Sequence, residues 1–292
     1  MRIDAHQHFW RYDPAEYGWI DDTMSPLRRD FLPADAKREM DAAGFDGCVA
    51  VQARQTLEET RWLLALAGAH PFIVGVVGWV DLQSPEVATE LARLSQHPKL
   101  VGVRHIVQSE PDDFLSRPAF RRGIAQLERF GLAFDILVYP RQLDAAIRLV
   151  GDFPAQRFVL DHLAKPDLRL CAIETWRTDL RRLAAHPNVC CKLSGLVTEA
   201  DWRTWTPAQL RPSLDVAFEC FGAGRLMIGS DWPVCTLAAD YARTMNVVAD
   251  VLAGHSSAER DAVLGGTAAR VWRIHETHHR SDRLSAAVRG VQ

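Results

Sequence analysis

The feature of this 292-residue chain that most constrains its fold is a regular alternation of apolar runs with amphipathic stretches. Most of the runs are continuously apolar, as strands buried on both faces should be. The stretches between them carry apolar residues at helical spacing, for example over 58–69, 86–96, 118–130 and 174–185. The predicted strands cover residues 2–6, 46–52, 72–80, 100–106, 132–139, 156–162, 188–194 and 225–231.

Eight strands alternating with helices in a chain of this length predict a single-domain (β/α)₈ TIM barrel, an α/β fold. We place the barrel at residues 1–275 and a polar C-terminal extension at 276–292. A doubly wound open sheet is the alternative, but no Gly-rich phosphate loop follows the first strand. Gly44, Gly131 and Gly222 stand where left-handed residues would end helices. His-Pro pairs begin at residues 70, 97 and 186, and at these helix-to-strand junctions we expect structural histidines.

Charge and hydropathy exclude several classes of function. Lys and Arg number 34 against 37 Asp and Glu, a formal net charge of −3, so no basic excess indicates a nucleic-acid partner. The longest apolar runs contain glycines and are shorter than the ~20 residues of a membrane span. The first residues form no apolar signal segment, which favours a cytoplasmic protein without membrane association. The six cysteines lack C-x-x-C spacing and are expected to be reduced, mostly in the core.

Two segments do not belong to this alternation of strands and helices. The connection over 9–31 is long and rich in Trp, Tyr and Asp, and such loops tend to be functional in compact domains. The polar tail carries adjacent histidines, His278 and His279. We interpret it as a terminal surface element rather than a metal-binding tract.

Active sites of such barrels lie at the carboxyl ends of the strands, where this sequence has many polar and titratable residues. His6 and His8 stand two residues apart, so their imidazoles can converge on one ion or substrate, although both could instead bond local carbonyls. Asp231 is the best general-base candidate; the alternative is a carboxylate that caps the following turn. The whole set of strand-end residues is His6, His8, Gln52, Arg54, Trp79, Asp81, Arg104, His105, Tyr139, His162, Lys192, Ser194, Asp231 and Trp232.

Ordered motifs across nearly the whole chain resemble the amidohydrolase superfamily, and within it the amidohydrolase 2 lactonase branch. They are DAHQHFW at residues 4–10, LDHLAKP at 160–166, KLSG at 192–195, GSDWP at 229–233 and LGGTAAR at 264–270. The branch includes 2-pyrone-4,6-dicarboxylate lactonase and lactonases of L-rhamnono- and L-fucono-lactones. The resemblance therefore implies a hydrolase that opens a lactone.

The resemblance also bears on the cofactor. Binuclear members carry a bridging Lys or Glu at the end of strand four and a metal-binding His at the end of strand five. Here the corresponding positions hold Arg104-His105 and Tyr139, which argues against a two-metal centre. His6, His8, His162 and Asp231 would be enough for a single divalent ion, most readily zinc. Because some members of the branch work without metal, the ion could be dispensable.

The mechanism that follows uses Asp231 as the base, with His162 orienting the water. His6, His8, Arg104 and His105 would polarise the lactone carbonyl, directly or through an ion. Further expected substrate contacts are Trp10, Trp19, Trp79, Trp232, Gln52, Arg54 and Lys192.

A dicarboxylate substrate would require several arginines. Only Arg54 and Arg104 end strands, with Lys165 and Lys192 as further cations, which favours a sugar-acid lactone such as L-fucono-1,5-lactone or an L-rhamnono-lactone. A 2-pyrone-4,6-dicarboxylate-type lactonase, a metal-dependent decarboxylase and a barrel that only binds sugar remain alternatives. The expected partner is the small-molecule lactone, bound by a monomer or small homo-oligomer.

Overall fold

The predicted barrel is present. A computed structural model describes residues 1–168 and 173–274, and its eight strands form one sheet in the order of the sequence. Each strand pairs in parallel with the next along the chain. The strands are β1 (Ile3–Gln7), β2 (Gly47–Val51), β3 (Ile73–Gly78), β4 (Leu100–His105), β5 (Ala133–Ile136), β6 (Phe158–Leu160), β7 (Val189–Leu193) and β8 (Leu226–Ile228).

The barrel closes where the segment after β8 meets the end of β1. The amide of Asp231 donates to the carbonyl of His6 at 2.8 Å, and the amide of His8 donates to the carbonyl of Trp232 at 2.7 Å. Gln7 and Trp232 form a parallel bridge. Closure therefore brings the first and last predicted site segments together.

Helices surround the barrel, and several begin at capping residues. The hydroxyl of Thr56 accepts from the amide of Glu59 at 3.1 Å, and the carboxylate of Asp240 accepts from the amide of Arg243 at 2.7 Å. The helices are α1 (Pro33–Ala43), α2 (Leu57–Ala69), α3 (Val87–Leu94), α4 (Pro118–Leu127), α5 (Leu143–Asp152), α6 (Glu174–Ala184), α7 (Leu196–Glu199), α8 (Pro207–Phe221), α9 (Tyr241–Leu252), α10 (Ser257–Asp261) and α11 (Thr267–Val271). A π-helical turn, Ala262–Gly266, joins α10 to α11.

Two of the three predicted left-handed glycines adopt that conformation. Gly44 and Gly131 have φ of 74° and 67° with small positive ψ. Gly222 also has positive φ, 64°, but its ψ is 157°, outside the left-handed helical region. A short 3₁₀ helix, Ala223–Arg225, begins directly after it, so Gly222 lies between two helices rather than at a simple helix end.

The core has two parts. One fills the space between the barrel and its helices, where Phe9, Met40 and Phe134 are fully buried. The other lies inside the barrel and consists mainly of small apolar side chains from the strands. Its members are Ile3, Ala5, Val49, Val51, Val77, Val101, Ala133, Val159, Cys190, Met227, Ala268, Val271 and Trp272.

Among the described residues, five cysteines are free thiols and four of them are buried; Cys171 lies outside the described part. In that same part, no helix combines the length and apolarity needed to cross a membrane. The predicted extension at 276–292, with His278 and His279, also lies outside the described residues.

Candidate active site

The structure brings the four predicted chemical residues together at the carboxyl end of the barrel. Oδ1 of Asp231 lies 3.2 Å from Nε2 of His8, 3.6 Å from Nε2 of His6 and 4.0 Å from Nε2 of His162. The two Nε2 atoms of His6 and His8 are 3.2 Å apart. All four side chains are buried. Three imidazole nitrogens therefore converge on one carboxylate oxygen.

Irregular backbone produces this convergence. The register of β1 shifts between Asp4 and Gln7, so Ala5 packs inside the barrel while the next residue, His6, faces the site. Asp231 has a φ of 56°, in the left-handed region. Such conformations are costly for residues other than glycine and tend to occur at functional sites.

A left-handed turn after β6 presents His162. The four residues from His162 to Lys165 all have φ between 52° and 57°. Gly195 (φ 69°) completes the packing, because a Cβ there would lie 2.5 Å from Nδ1 of His162. At Gly229 a Cβ would lie 2.8 Å from that of His6. Glycine at both positions is therefore required by the two histidines.

Hydrogen bonds and burial set the protonation of the histidines. Nδ1 of His8 donates to the carbonyl of Val51 at 2.8 Å, which orients its Nε2 toward the site. Nδ1 of His162 pairs with the hydroxyl of Ser194 at 2.9 Å. Burial lowers the pKa of His162 to about 4 and the pKa of His6 well below its usual value. Both imidazoles are therefore neutral near pH 7.

Asp231 remains ionised in these surroundings. Burial alone would raise its pKa, but His162, His8 and His6 outweigh that effect and hold the pKa below its usual range. The site therefore presents one carboxylate and, on His6 and His162, two neutral imidazoles at neutral pH.

A charged layer lies directly beside the histidines. Nζ of Lys192 is 2.5 Å from Oδ2 of Asp135, 2.9 Å from Oδ1 of Asp161 and 3.2 Å from Nδ1 of His6. Arg104 donates to Oδ2 of Asp161 at 3.0 Å and approaches Nε2 of His6 at 3.3 Å. We predicted Lys192 and Arg104 as substrate contacts; the structure pairs both with buried carboxylates. Gln52 belongs to the same layer, since its side chain donates to the carbonyl of Arg104 at 3.3 Å.

The pKa values of the two carboxylates in this layer, Asp135 and Asp161, are shifted in opposite directions. Burial raises the pKa of Asp135 to about 7, although Lys192 opposes the rise. For Asp161 burial acts in the same sense, but Lys192, His6 and Arg104 outweigh it and keep the pKa well below its usual value. Asp161 is thus the anion that holds the two cations together.

His105 and Trp79, two other predicted substrate contacts, lie against each other. Nε1 of Trp79 donates to Nδ1 of His105 at 3.4 Å, and Nε2 of His105 pairs with Glu110 at 3.1 Å. The imidazole also stacks on Phe114 with ring centres 4.6 Å apart. Both ring nitrogens of His105 are therefore engaged within the protein.

The long loop over 9–31 packs over this end of the barrel. Trp10 is fully buried, donates to the carbonyl of Arg29 at 2.9 Å and lies 6.5 Å from the ring of His8. Trp232 is also buried, with its ring 5.2 Å from that of Phe31. Trp19 differs from both, because 41% of it is exposed.

Arg54 ties this loop to the barrel. Its guanidinium pairs with Glu16 and lies 5.4 Å from the ring of Tyr17. As substrate contacts, Trp10, Trp19, Trp232 and Arg54 remain predictions.

Sequence reasoning did not place Asp4, Asp135 and Asp161 in the site. Asp4 is fully buried and accepts from the amide and hydroxyl of Ser230 at 2.9 and 2.6 Å. It thereby fixes the segment that carries Asp231. The available signal was a carboxylate inside or directly after an otherwise apolar strand, which is rarely buried without a partner.

The profile of the family Amidohydro_2, described as Amidohydrolase, matches residues 3–274. A protein of Burkholderia multivorans named L-fucono-1,5-lactonase is 44% identical over an alignment of 288 positions, which covers 94% of this chain and 97% of that protein. One of the same name from Burkholderia ambifaria is 41% identical over 82% of this chain and 83% of its own length.

A solved structure agrees with the fold in detail. It is an amidohydrolase from Burkholderia multivorans crystallised with bound zinc. It superposes with a TM-score of 0.91 at 45% identity, covering 94% of this chain and 100% of that one.

Proposed function

The chain belongs to the amidohydrolase family Amidohydro_2, and from this membership we propose that it is a lactonase that opens a sugar-acid lactone, such as L-fucono-1,5-lactone, to the hydroxy acid. The observation that carries the proposal is the convergence of His6, His8 and His162 on Oδ1 of Asp231 at the carboxyl end of the barrel. Two relatives named L-fucono-1,5-lactonase span most of the chain and support the substrate class.

The converging side chains fit one divalent ion. Ligand atoms of a tetrahedral zinc ion lie about 3.3 Å apart, close to the 3.2, 3.2 and 3.6 Å among His6, His8 and Asp231. His162 would complete the set. An ion held by His6 would replace the contact of its Nε2 with Arg104. When bound, a divalent ion lowers the pKa of water and polarises a carbonyl group.

Among the described residues, a second ion has no comparable place. His6, Asp161 and His162 also group closely enough to be considered as ligands. Lys192 and Arg104 already pair with Asp161, however, and their positive charges would repel a second cation. We therefore propose at most one ion.

The residues of this chain can account for the proton transfers. As water attacks the carbonyl carbon, Asp231 accepts its proton, and His162, fixed by Ser194, orients the water. The bond between the carbonyl carbon and the ring oxygen then breaks. The proton held by Asp231 passes to the leaving ring oxygen, which becomes a hydroxyl, so that water is the only co-reactant.

The cations around the site argue for a ligand without several carboxylates. Arg54 pairs with Glu16, Arg104 with Asp161, and Lys165 with Glu199. A dicarboxylate would have to compete with these partners, whereas a neutral lactone ring would not. This pairing supports a sugar-acid lactone over a 2-pyrone dicarboxylate.

A pH-indicator assay tests the proposal. We expect acid release from L-fucono-1,5-lactone well above the spontaneous rate, together with at most one equivalent of tightly bound zinc. Treatment with a chelator should remove the zinc and leave activity at least in part. Faster turnover of 2-pyrone-4,6-dicarboxylate lactone, or release of CO₂ from an aromatic acid without any lactonase activity, would contradict the proposal.

A further inference from the structure

A cavity of about 530 Å³ opens among the loops that follow β5, β6 and β7, at the carboxyl end of the barrel. Its volume is within the range of sites for small ligands, about 300–1,000 Å³. None of its lining residues belongs to the set that we assign to water activation. They are Tyr139, Pro140, Arg141, Lys165, Asp167 and Glu199.

The cavity shares a backbone segment with the site. Lys165 ends the left-handed turn that His162 begins, and its amide donates to the carbonyl of His162 at 2.7 Å. Burial alone would lower the pKa of Lys165, but Glu199 outweighs it and raises the pKa, with smaller contributions from Tyr139 and Asp231. Lys165 therefore keeps its positive charge at neutral pH.

An ion pair stands in the cavity without being sealed from it. Nζ of Lys165 lies 2.9 Å from Oε1 of Glu199, and the two side chains are 16% and 21% exposed. The same ammonium lies 5.5 Å from the centre of the Tyr139 ring. Glu199 ends α7, directly after β7. The pair thus bridges two neighbouring loops at the mouth of the barrel.

Within the described residues, the hydrogen-bonding capacity of this pair exceeds what the protein uses. An ammonium has three donors and a carboxylate can accept several hydrogen bonds, while one contact joins the two groups. In the described part of the chain, the Tyr139 hydroxyl has no hydrogen-bond partner. Among the described residues, the lining holds two cations and two carboxylates, so their formal charges cancel.

These hydrogen-bonding properties suit a ligand that carries two neighbouring hydroxyl groups on one ring. Each hydroxyl both donates and accepts, so a pair of them can satisfy Lys165 and Glu199 together. A carboxylate ligand would gain from Lys165 but would be repelled by Glu199. An apolar ring would leave both charged groups with fewer hydrogen bonds than water gives them.

We propose that Lys165, Glu199 and the hydroxyl of Tyr139 form the subsite that binds the ring hydroxyls of the lactone and sets the preference for hydroxylated substrates. The inference rests on the proposed lactonase activity and adds the residues that select the sugar. Loss of a hydrogen bond to a charged group reduces kcat/KM by about 10- to 100-fold.

Two lactones with the same six-membered ring test the subsite. L-fucono-1,5-lactone carries ring hydroxyls and δ-valerolactone carries none. We expect Lys165→Met and the nearly isosteric Glu199→Gln to lower kcat/KM for the hydroxylated lactone by about 10- to 100-fold, mainly through KM. For δ-valerolactone, kcat/KM should stay within about twofold of wild type. The ratio of kcat/KM for the hydroxylated lactone to kcat/KM for δ-valerolactone should therefore fall. Tyr139→Phe should produce a smaller change in the same direction.

Asp215→Asn, which removes an exposed ion pair with Arg211 on α8, is the matched control and should leave the ratio unchanged. Equal kcat/KM for the two lactones in the wild type, or an unchanged ratio in a folded Glu199→Gln variant, would overturn the subsite. A wild type that hydrolyses neither lactone would overturn the proposed function instead. Thermal unfolding of each variant separates a binding defect from misfolding.

Discussion

Inside the barrel, side chains only two residues apart on the same strands form two opposed environments. On β5 the interior changes from Ala133 to Asp135, and on β7 from Cys190 to Lys192. Val159 on β6 is followed at the same spacing by Asp161. Two residues of strand correspond to about 6.6 Å. Within that distance the interior passes from an apolar layer to a charged layer.

The two layers differ in what holds them together. Apolar burial is non-directional and stabilises by roughly 25 cal/mol per Å². Buried charges repay their desolvation only when each one keeps its partner and its geometry. Substitutions in the apolar layer should therefore lower stability gradually, in proportion to the apolar area that they remove. Substitutions in the charged layer should have larger effects, and they should also disturb His6, which this layer holds in position.

The largest expected effect comes from removing the central cation. Lys192→Met leaves Asp135 and Asp161 facing each other without that ammonium, and breaking such a buried pair typically costs ~3–5 kcal/mol. Adding Asp135→Asn should restore part of the loss, since the remaining Asp161 still pairs with Arg104. Urea unfolding of both variants measures this.

The apolar layer provides the control for that experiment. Val159→Ala removes two methyl groups from the adjacent apolar layer and should cost about 1–3 kcal/mol. If Lys192→Met costs less than Val159→Ala, the charged layer does not depend on its pairing as described here.

A buried carboxylate outside the charged layer, Glu59, allows a second test. Glu59 on α2 is buried and accepts from the amides of Ala53 and Arg54 at 3.1 and 2.8 Å. Burial raises its pKa to about 7, although the two amides oppose the rise. The native state therefore binds more protons than the unfolded chain, and stability due to Glu59 falls as pH rises from about 4.5 to about 7.

Glu59→Gln tests this sign. Relative to the variant, the wild type should lose about 3 kcal/mol or less between pH 4.5 and pH 8, because each pKa unit corresponds to about 1.4 kcal/mol. Denaturant unfolding of both proteins at the two pH values gives the difference directly. A variant whose stability changes with pH as steeply as that of the wild type would show that Glu59 is not the group that titrates.

The barrel itself could be predicted because its strands are long apolar runs whose order and spacing leave few other folds. The predicted strand ends were less accurate. The run over 132–139 forms a strand only as far as Ile136, and the run over 156–162 only as far as Leu160. Leu137 and Val138 continue the apolar run past Ile136, and Asp161 and His162 after Leu160 are buried as well, so neither strand end is marked by exposure.

The convergence of His6, His8, His162 and Asp231 was also accessible from the sequence, because strand ends meet at one edge of a barrel. Depth was not. A strand-end position does not reveal whether a cation such as Lys192 faces substrate or a buried carboxylate. The left-handed turn from His162 to Lys165 contains no glycine and has no local signal, because tertiary contacts impose it.

The most direct test of the central claim, that Asp231 activates water for lactone hydrolysis, is the kcat of Asp231→Asn on L-fucono-1,5-lactone near neutral pH with the spontaneous rate subtracted. The variant keeps the shape of the side chain and removes the proton acceptor. We predict a fall in kcat of ~10²–10⁴-fold with little change in KM, because a general base acts in the transition state. Asp240→Asn, at the first residue before α9, keeps a good cap and should retain wild-type kcat. An Asp231→Asn variant with nearly full kcat, alongside an inactive His162→Asn, would contradict the account and make His162 the base.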